Sequence, residues 1–558
     1  MGTLSKELIL QIIFLTLILG CASQLPPGGG DVDRTPPEIV EVYPPNGTIN
    51  YNDNYFEIEF SEYINKRTFN DALFISPIVE GRLQFEWTGT SINVEFVEGL
   101  KEDITYTITI GTDVVDLNNK NRMARSYSFS FATGSTIDRR EIIGRVAQQE
   151  TEGVLIFAYK IDEGVDTLLI RKPDYVSQTS ADGRFHLNGM GESDYRLFAV
   201  KDEYRDLIYD MNQDLIGVPN KDISLVGSDS LFVGMKFKMF KADTTTPRLL
   251  KSIMTDEKHI LVTLSEELAQ SKVENDNFYL IDSTVNYTSK ISLAYKRFGK
   301  KDEIVLVPEE QLKVDNSVFL IAKLLSDTLG NEYYDDFVSI SISDKPDTTA
   351  PDIIGTEPSG FNSTIDFINP KLKFYFNDGI KNTDIQKSIS FADTLGKNVP
   401  FNFSWDDDAT LIVYPVNDLK SDKDYVIELD LNAFADASGN SRDSIYQFKF
   451  KTIAGLDFTG ITGKLLNINT GPNPILVLQN VDNKNKRYQQ NVSGDDFNFE
   501  RISAGKYMLW SYFDADSNYQ FNHGWPQPIE YSERFSIYTD TLKLKERWVI
   551  TDIIFDLE

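Results

Sequence analysis

Apolar and polar side chains alternate singly along most of the chain, and Gly, Pro, Asn or Asp interrupts the alternation every few residues. In FEIEF, Phe56, Ile58 and Phe60 share one side while Glu57 and Glu59 take the other, the period of a half-buried strand. ILVTL from Ile260 and LKFYF from Leu372 repeat the pattern, as do Phe185 with Leu187 and Phe497 with Phe499. No stretch sustains a helical apolar period, so short strands joined by tight turns are predicted and no long helix. The one long apolar-rich run is LILQIIFLTLIL, Leu8 to Leu19.

The strands recur in sets. TPPEI at Thr35, TTTPRL at Thr244 and TTAPDI at Thr348 each lead into an alternating strand that ends in a small polar residue and an acid: FEIEFSEYI, ILVTLSEEL and LKFYFNDGI. Further on, each copy has a turn beginning with Asp (Asp116, Asp327, Asp436) and a closing strand that ends at Phe131, Ile342 or Phe450. Such spacing predicts antiparallel β-sandwiches of about 100 residues. The pattern resembles the bacterial Ig-like domains first noted in surface-layer proteins.

A second repeat fills the gaps. EIIGRV at Glu141 pairs with GITGKL at Gly460, and ADGRFHLNGMGESDYRLFAVKD with SGDDFNFERISAGKYMLWSYFD. Phe185 and Phe497 each precede a tyrosine, Tyr195 or Tyr507, by ten positions, with Asp202 or Asp514 seven later. These segments resemble carboxypeptidase-regulatory-like or transthyretin-like modules, a resemblance that implies small seven-stranded, non-catalytic sandwiches. The expected fold is therefore all-β, a tandem array of five antiparallel β-sandwiches. Three are Ig-like, at 35–135, 244–344 and 348–453, and two transthyretin-like, at 138–242 and 456–558. Each is large enough to bury its own core.

Ahead of the array, Lys6, the apolar run and Gly20-Cys21 follow the order of an export signal over residues 1–20. Twelve positions rise about 18 Å as a helix, short of a hydrocarbon core of roughly 30 Å. Ile18-Leu19-Gly20-Cys21 resembles the lipobox of bacterial lipoproteins. It implies that Cys21 is acylated as the first residue of the mature chain, with 21–34 a Pro- and Gly-rich tether. A small residue closing an ordinary signal peptide is the other reading of Cys21. By resemblance to known sorting rules, Ala22, not being acidic, favours the outer membrane; its periplasmic or outward face is left open.

Charge and chemistry narrow the function. A net charge of −30 repels nucleic acid and anionic lipid at long range. Cys21 is the single cysteine, so no disulfide or sulfur-ligated metal is expected. His186, His259 and His523 fall in different domains, which leaves no local His pair for a metal, and no nucleophile elbow or phosphate loop occurs. His186, out of phase with Phe185 and Leu187, is expected to face solvent. The chain is read as non-enzymatic and without a cofactor, save for one Ca²⁺ candidate. DADSN offers oxygens at Asp514, Asp516 and Asn518, and DMNQD repeats the theme at Asp210, Asn212 and Asp214. Tyr519 and Trp525 stand where an EF-hand needs Gly and Glu, so a solvated turn is the competing reading.

Asp followed by Ser or Thr recurs at Asp166, Asp229, Asp243, Asp282, Asp327, Asp347, Asp393, Asp443 and Asp540. The pattern resembles the O-glycosylation site of exported Bacteroidota proteins, and it is also ordinary turn chemistry. The whole chain resembles Ig-like-domain lipoproteins of Bacteroidota. That implies a lipid-anchored structural or docking protein with protein partners in the envelope, an outer-membrane barrel or its assembly or transport machinery among them. The alternative is a surface adhesin or glycan binder with Trp525 as stacking platform.

Overall fold

The computed structural model describes residues 32–558 except 80, 148–150, 152, 162–167, 229, 361–362, 382–383 and 485. Cys21 and the leader lie outside the described residues. Among the described residues, no helix is long and apolar enough to cross a membrane. Two compact units are present: the chain up to Phe240 together with His523–Ser532, and Lys241–Asn522 together with Glu533–Glu558.

The fold is all-β, as the alternation predicts. In the first Ig-like copy, one sheet orders its strands Ile39–Tyr43, Tyr55–Phe60, Ser91–Phe96, Leu83–Thr88, and the other Leu73–Ser76, Thr105–Ile110, Tyr127–Ala132. Phe56, Ile58 and Phe60 point into the core between them, at no more than 2% exposure, while Glu57 and Glu59 face water. The same order recurs in 249–341 and in 353–452, where the short strand Ser363–Ile365 is added beside the closing strand. The middle copy departs from an open sandwich. Tyr287–Lys296 is long enough to pair with Phe278–Asp282 through one half and with Glu303–Pro308 through the other. Leu249–Met254 also lies parallel to Glu332–Ser341, and the two sheets join into a closed barrel.

Residues 140–237 and 459–556 share a second order. In the first, a sheet of Arg184–Met190, Arg140–Val146 and Leu231–Phe237 faces one built on Tyr175–Gln178, Leu155–Lys160, Asp194–Lys201 and Leu215–Gly217, with Ile223–Ser224 added. Among the described residues each module thus has eight strands, where the resemblance implied seven, and the last runs parallel to the first. Gly144 and Gly463 occupy matching places in that first strand. A Cβ there would run into the carbonyl oxygen of Met235 or Ile553 on the parallel strand, so the repeated glycine answers a close backbone approach.

Five apolar cores follow, one per repeat, but they are not all private. Leu293, Tyr295, Val305 and Val307 of the middle Ig-like copy belong to the core of the third, so those two copies share buried surface, contrary to the expectation of self-contained domains. The joint in the first unit is polar instead. Thr107 Oγ1 meets Ser130 Oγ at 2.9 Å and the Gly189 carbonyl at 3.3 Å, Thr112 Oγ1 donates to the Thr179 carbonyl at 3.0 Å, and Gln178 Oε1 accepts from the Asp113 amide at 3.2 Å.

Gly189 sits in that joint at a φ of +63°, and a Cβ would collide with the hydroxyls of Ser130 and Thr107. Gly227 has a φ of +72° with open space around it. Gly227→Ala is expected to cost about 1 kcal/mol and Gly189→Ala at least about twice that, read from urea unfolding of the two variants side by side.

Candidate functional site

The three turns that begin with Asp do the same work in each Ig-like copy. The carboxylate is buried, at 1%, 3% and 1% exposure for Asp116, Asp327 and Asp436, and gathers the amides of its own turn. Asp116 accepts from Asn119, Lys120 and Asn121, Asp327 from Leu329 and Asn331, and Asp436 from Ser438 and Asn440, between 2.5 and 3.1 Å. The asparagine closing each turn then donates its side-chain amide to the backbone carbonyl of the aspartate ahead of the first strand. The distances are 3.1 Å for Asn121 to Asp33, 3.0 Å for Asn331 to Asp243 and 3.3 Å for Asn440 to Asp347. Each copy is thereby tied shut between its beginning and its last turn.

A third acid joins each pair, the one that ends the alternating strand. Asp33, Glu62 and Asp116 place carboxylate oxygens within 4.8 Å of one another, as do Asp243, Glu266 and Asp327, and Asp347, Asp378 and Asp436. Crowding shows in the protonation of one member of each set. Burial, then the charges of Asp116 and Asp33, raise Glu62. Burial raises Asp436 against the hydrogen bonds of Asn440, with Asp378 and Asp347 adding to the rise. Glu266 is pushed up to about 7 by burial and by the charges of Asp327 and Asp243, and its Oε1 is sealed from water with no donor in reach. Three converging carboxylates are the donor set of a hard cation such as Ca²⁺. The sequence displayed each of these acids as a separate repeated mark, and what it did not display is that the marks meet.

The candidate ligands in the last module fall differently. Asp514 and Asp516 converge with Glu533. The Asn518 amide donates to Asp514 and Asp516, both at 3.1 Å, and its side-chain nitrogen to Asp516 at 2.8 Å, so Asn518 braces the carboxylates. Glu533 is itself held by the amides of Ala515 and Asn522. In DMNQD, Asp214 is buried and accepts from the amides of Glu203 and Asp210, while Asp210 accepts from Asn212, a self-bonded turn. Of the recurrent Asp-Ser/Thr pairs, Asp243, Asp282, Asp327, Asp347 and Asp393 all accept the amide two residues on, as turn chemistry requires. His186 is exposed, as its phase implies, and lies 2.9 Å from Glu141.

His259 is buried, and sequence reading gave it no role. Its Nδ1 lies 2.8 Å from Asp256, three residues back, and its Nε2 2.8 Å from Asp378 in the third Ig-like copy, which Tyr295 Oη also approaches at 3.4 Å. Burial alone would lower the imidazole, but the two carboxylates outweigh it and raise it to about 10. Asp256 is held down at about 2: burial opposes this, and the His259 ring with the amides of Lys258 and His259 prevails. The ring is therefore a cation clamped between two carboxylates, one from each copy. Asp256 and His259 also converge on Asp347, so the clamp and the third carboxylate set adjoin.

Residues 33–133 and 347–452 each match the model of the bacterial Ig-like domain family. No curated protein matches the chain. Among solved structures, the chain is similar to the N-terminal part of the bacterial S-layer protein SbsC at 10% identity and a TM-score of 0.17, over 37% of this chain and 44% of that one, so it spans less than half of that relative. It is also similar to the S-layer protein rSbsC at 10% identity and a TM-score of 0.17, over 92% and 68%. The major pilin subunit BcpA of Bacillus cereus is similar at 8% identity and a TM-score of 0.13, over 76% and 99%. Scores this low leave the Ig-like assignment resting on the two matched segments and on the strand order that the middle segment shares with them.

Because the folded-state pKa of His259 lies above its ordinary 6.5, the clamp's stabilisation is complete below pH 6.5 and lost as pH rises through about 10. His259→Gln is expected to cost about 3 kcal/mol in denaturant unfolding at the acidic end of that window, and the gap to wild type should close above its alkaline end. Glu266 has the opposite sense, since raising a carboxyl's pKa removes stability as pH climbs from 4.5 to about 7. Glu266→Gln is expected to leave stability unchanged below pH 4.5 and to raise it by about 1 kcal/mol above pH 7, solvent screening included.

Proposed function

We propose that this chain is a lipid-anchored, non-catalytic protein of a bacterial outer envelope, whose tandem β-sandwiches serve as spacer and docking surface. The observation that carries the reading is the reuse of two sandwich designs, three copies of one and two of the other, each copy of the first sealed by the same buried aspartate. The middle and third copies share a buried core, and the first copy is hydrogen-bonded to the module after it. Such an array holds positions along a chain, and matched Ig-like segments are in keeping with a structural or adhesin-like role. The strand order common to 140–237 and 459–556 supports reading both as transthyretin-like modules.

Acyl chains on Cys21 supply enough apolar signal for stable attachment without a span, and the acidic surface argues against nucleic acid as a partner. The partner class is an envelope protein, an outer-membrane barrel or its assembly apparatus, held by strand addition. Leu231–Phe237 and Val549–Asp556 end their sheets and leave Leu231, Val233, Val549 and Ile554 exposed along an open edge. In the glycan-binding alternative the platform would be Trp525, a half-buried ring whose Nε1 donates to the Gln527 carbonyl at 3.1 Å.

Fractionation tests the anchor. Wild-type protein is expected in the detergent phase of outer membranes and Cys21→Ser in the soluble fraction, whereas a variant that stays with the membrane overturns lipid attachment. Crosslinking in intact cells is expected to trap an envelope protein through the strand edges, and a chain that traps none overturns docking while leaving the anchor standing.

A further inference from the structure

Within the second unit, a cleft of about 380 Å³ opens between the first strand of the third Ig-like copy, Ile353–Glu357, and its closing strand, Ile445–Thr452. That volume falls within the range of ligand sites. The two strands belong to opposite sheets and, among the described residues, do not pair with each other. Ile353, Ile354 and Thr356 line one wall, and Tyr446, Gln447 and Phe448 the other.

The closing strand is only half covered on the cleft side. Away from the cleft it pairs with Asp424–Asp430 along almost its whole length. Toward the cleft, Ser363–Ile365 covers Phe450–Thr452 and stops. In an antiparallel ladder alternate residues bond to the same neighbour, which fixes the backbone groups left over. The Leu431 amide donates to the Ser444 carbonyl at 2.9 Å and the Thr452 amide to the Lys423 carbonyl at 2.8 Å, so Tyr446 and Phe448, in phase with Ser444 and Thr452, bond to Asp424–Asp430. Ile445 and Gln447 have the opposite phase. They turn N–H and C=O to the cleft side, as Ile453 does where its amide meets the Ile365 carbonyl at 2.8 Å. Among the described residues no hydrogen bond takes these four groups. The Gln447 side chain does not cover them, since its Nε2 donates to Glu428 at 2.7 Å.

The middle copy fills the same place. Counting back from Ile342 and Phe450, which end the two closing strands, Ser339 holds the position of Gln447. Beside it runs that copy's own first strand, with Ser252 opposite Ile340 and its hydroxyl donating to the Ser339 carbonyl at 3.0 Å. The third copy has the same first strand, bulged between Ile353 and Gly355 as the other is between Leu249 and Lys251. It lies on the far wall instead. There the Phe298 ring, from the middle copy, packs so close to Gly355 that a Cβ would strike it, and lies 4.6 Å from the Tyr375 ring.

An occupant that completes this edge must carry backbone donors and acceptors at strand spacing. It must also alternate in polarity, because Tyr446, Phe448 and Ile353 pack on the core while Gln447 and Ile354 are exposed. Only a polypeptide in extended form meets both conditions. We propose that a segment of an envelope protein, apolar at alternate positions, adds as a strand to Ile445 and Gln447 and does for the third copy what Leu249–Met254 does for the middle one. This rests on the docking role proposed above and adds a third edge to the two named there.

Hydrogen exchange with residue resolution on the full chain in detergent tests this, with two blocked heptapeptides as probes, one alternating threonine with valine and one threonine with phenylalanine. In the free chain the Ile445 and Gln447 amides are expected to exchange at least about tenfold faster than those of Tyr446 and Phe448, and a bound peptide should slow them by a similar factor. Gln447→Pro removes an amide that the ladder does not use, and Ile354→Lys puts a charge at the mouth while leaving the backbone intact. Each should weaken peptide binding at least about tenfold with a melting curve that overlays wild type. Amides of Ile445 and Gln447 already protected in the free chain overturn the open edge. Failure of both peptides to bind overturns the proposal, as does binding that ignores both substitutions or that survives N-methylation of alternate peptide amides. Protection that appears without peptide as the chain is concentrated makes the occupant a second copy and overturns the partner. Peptides that fail here while crosslinking through the other two edges succeeds overturn this site and leave the docking role standing.

Discussion

A buried carboxylate is costly unless its oxygens are met by donors. Asp116, Asp327 and Asp436 meet that condition with the amides of their own turns, so the turn cannot open without stranding a charge away from water. The partner asparagine carries the constraint across each domain to the segment ahead of the first strand. Strand order, core and the position of the third acid all presuppose that closure. A chain without a disulfide in its described residues thus ties the ends of each Ig-like copy together with hydrogen bonds where disulfide-bonded domains use sulfur.

The joints are built by opposite means. In the first unit, hydroxyls and a glycine bring two backbones close, and hydrogen bonds specify the contact. In the second, Tyr295 and its neighbours enter the adjacent core, and an imidazolium between two carboxylates fixes the orientation.

Much of this architecture was legible in the sequence, because strand alternation and turn residues are local signals. Phe56, Ile58 and Phe60 announced their own burial, and the lead-in, the acid and the Asp turn announced three copies. What stayed hidden depends on register and on distance along the chain. Alternation places Glu266 on a strand end without saying that Asp243 and Asp327 converge there. Glu533 lies beyond the DADSN stretch, so its convergence with Asp514 and Asp516 is not visible along the chain. Asp256 and His259 were visible three residues apart, but Asp378 comes from another domain. The closed barrel of the middle copy turns on Tyr287–Lys296 being long enough to serve two sheets, a length that alternation alone does not fix. The open edge at Ile445 and Gln447 exists only once the neighbouring strands are paired.

The core shared by the middle and third Ig-like copies bears on mechanics. Leu293, Tyr295, Val305 and Val307 cannot leave it without breaching both copies, so tension along the backbone meets the pair as one element. Stretching such a pair releases both lengths of chain in a single event, where beads on a string would yield one by one.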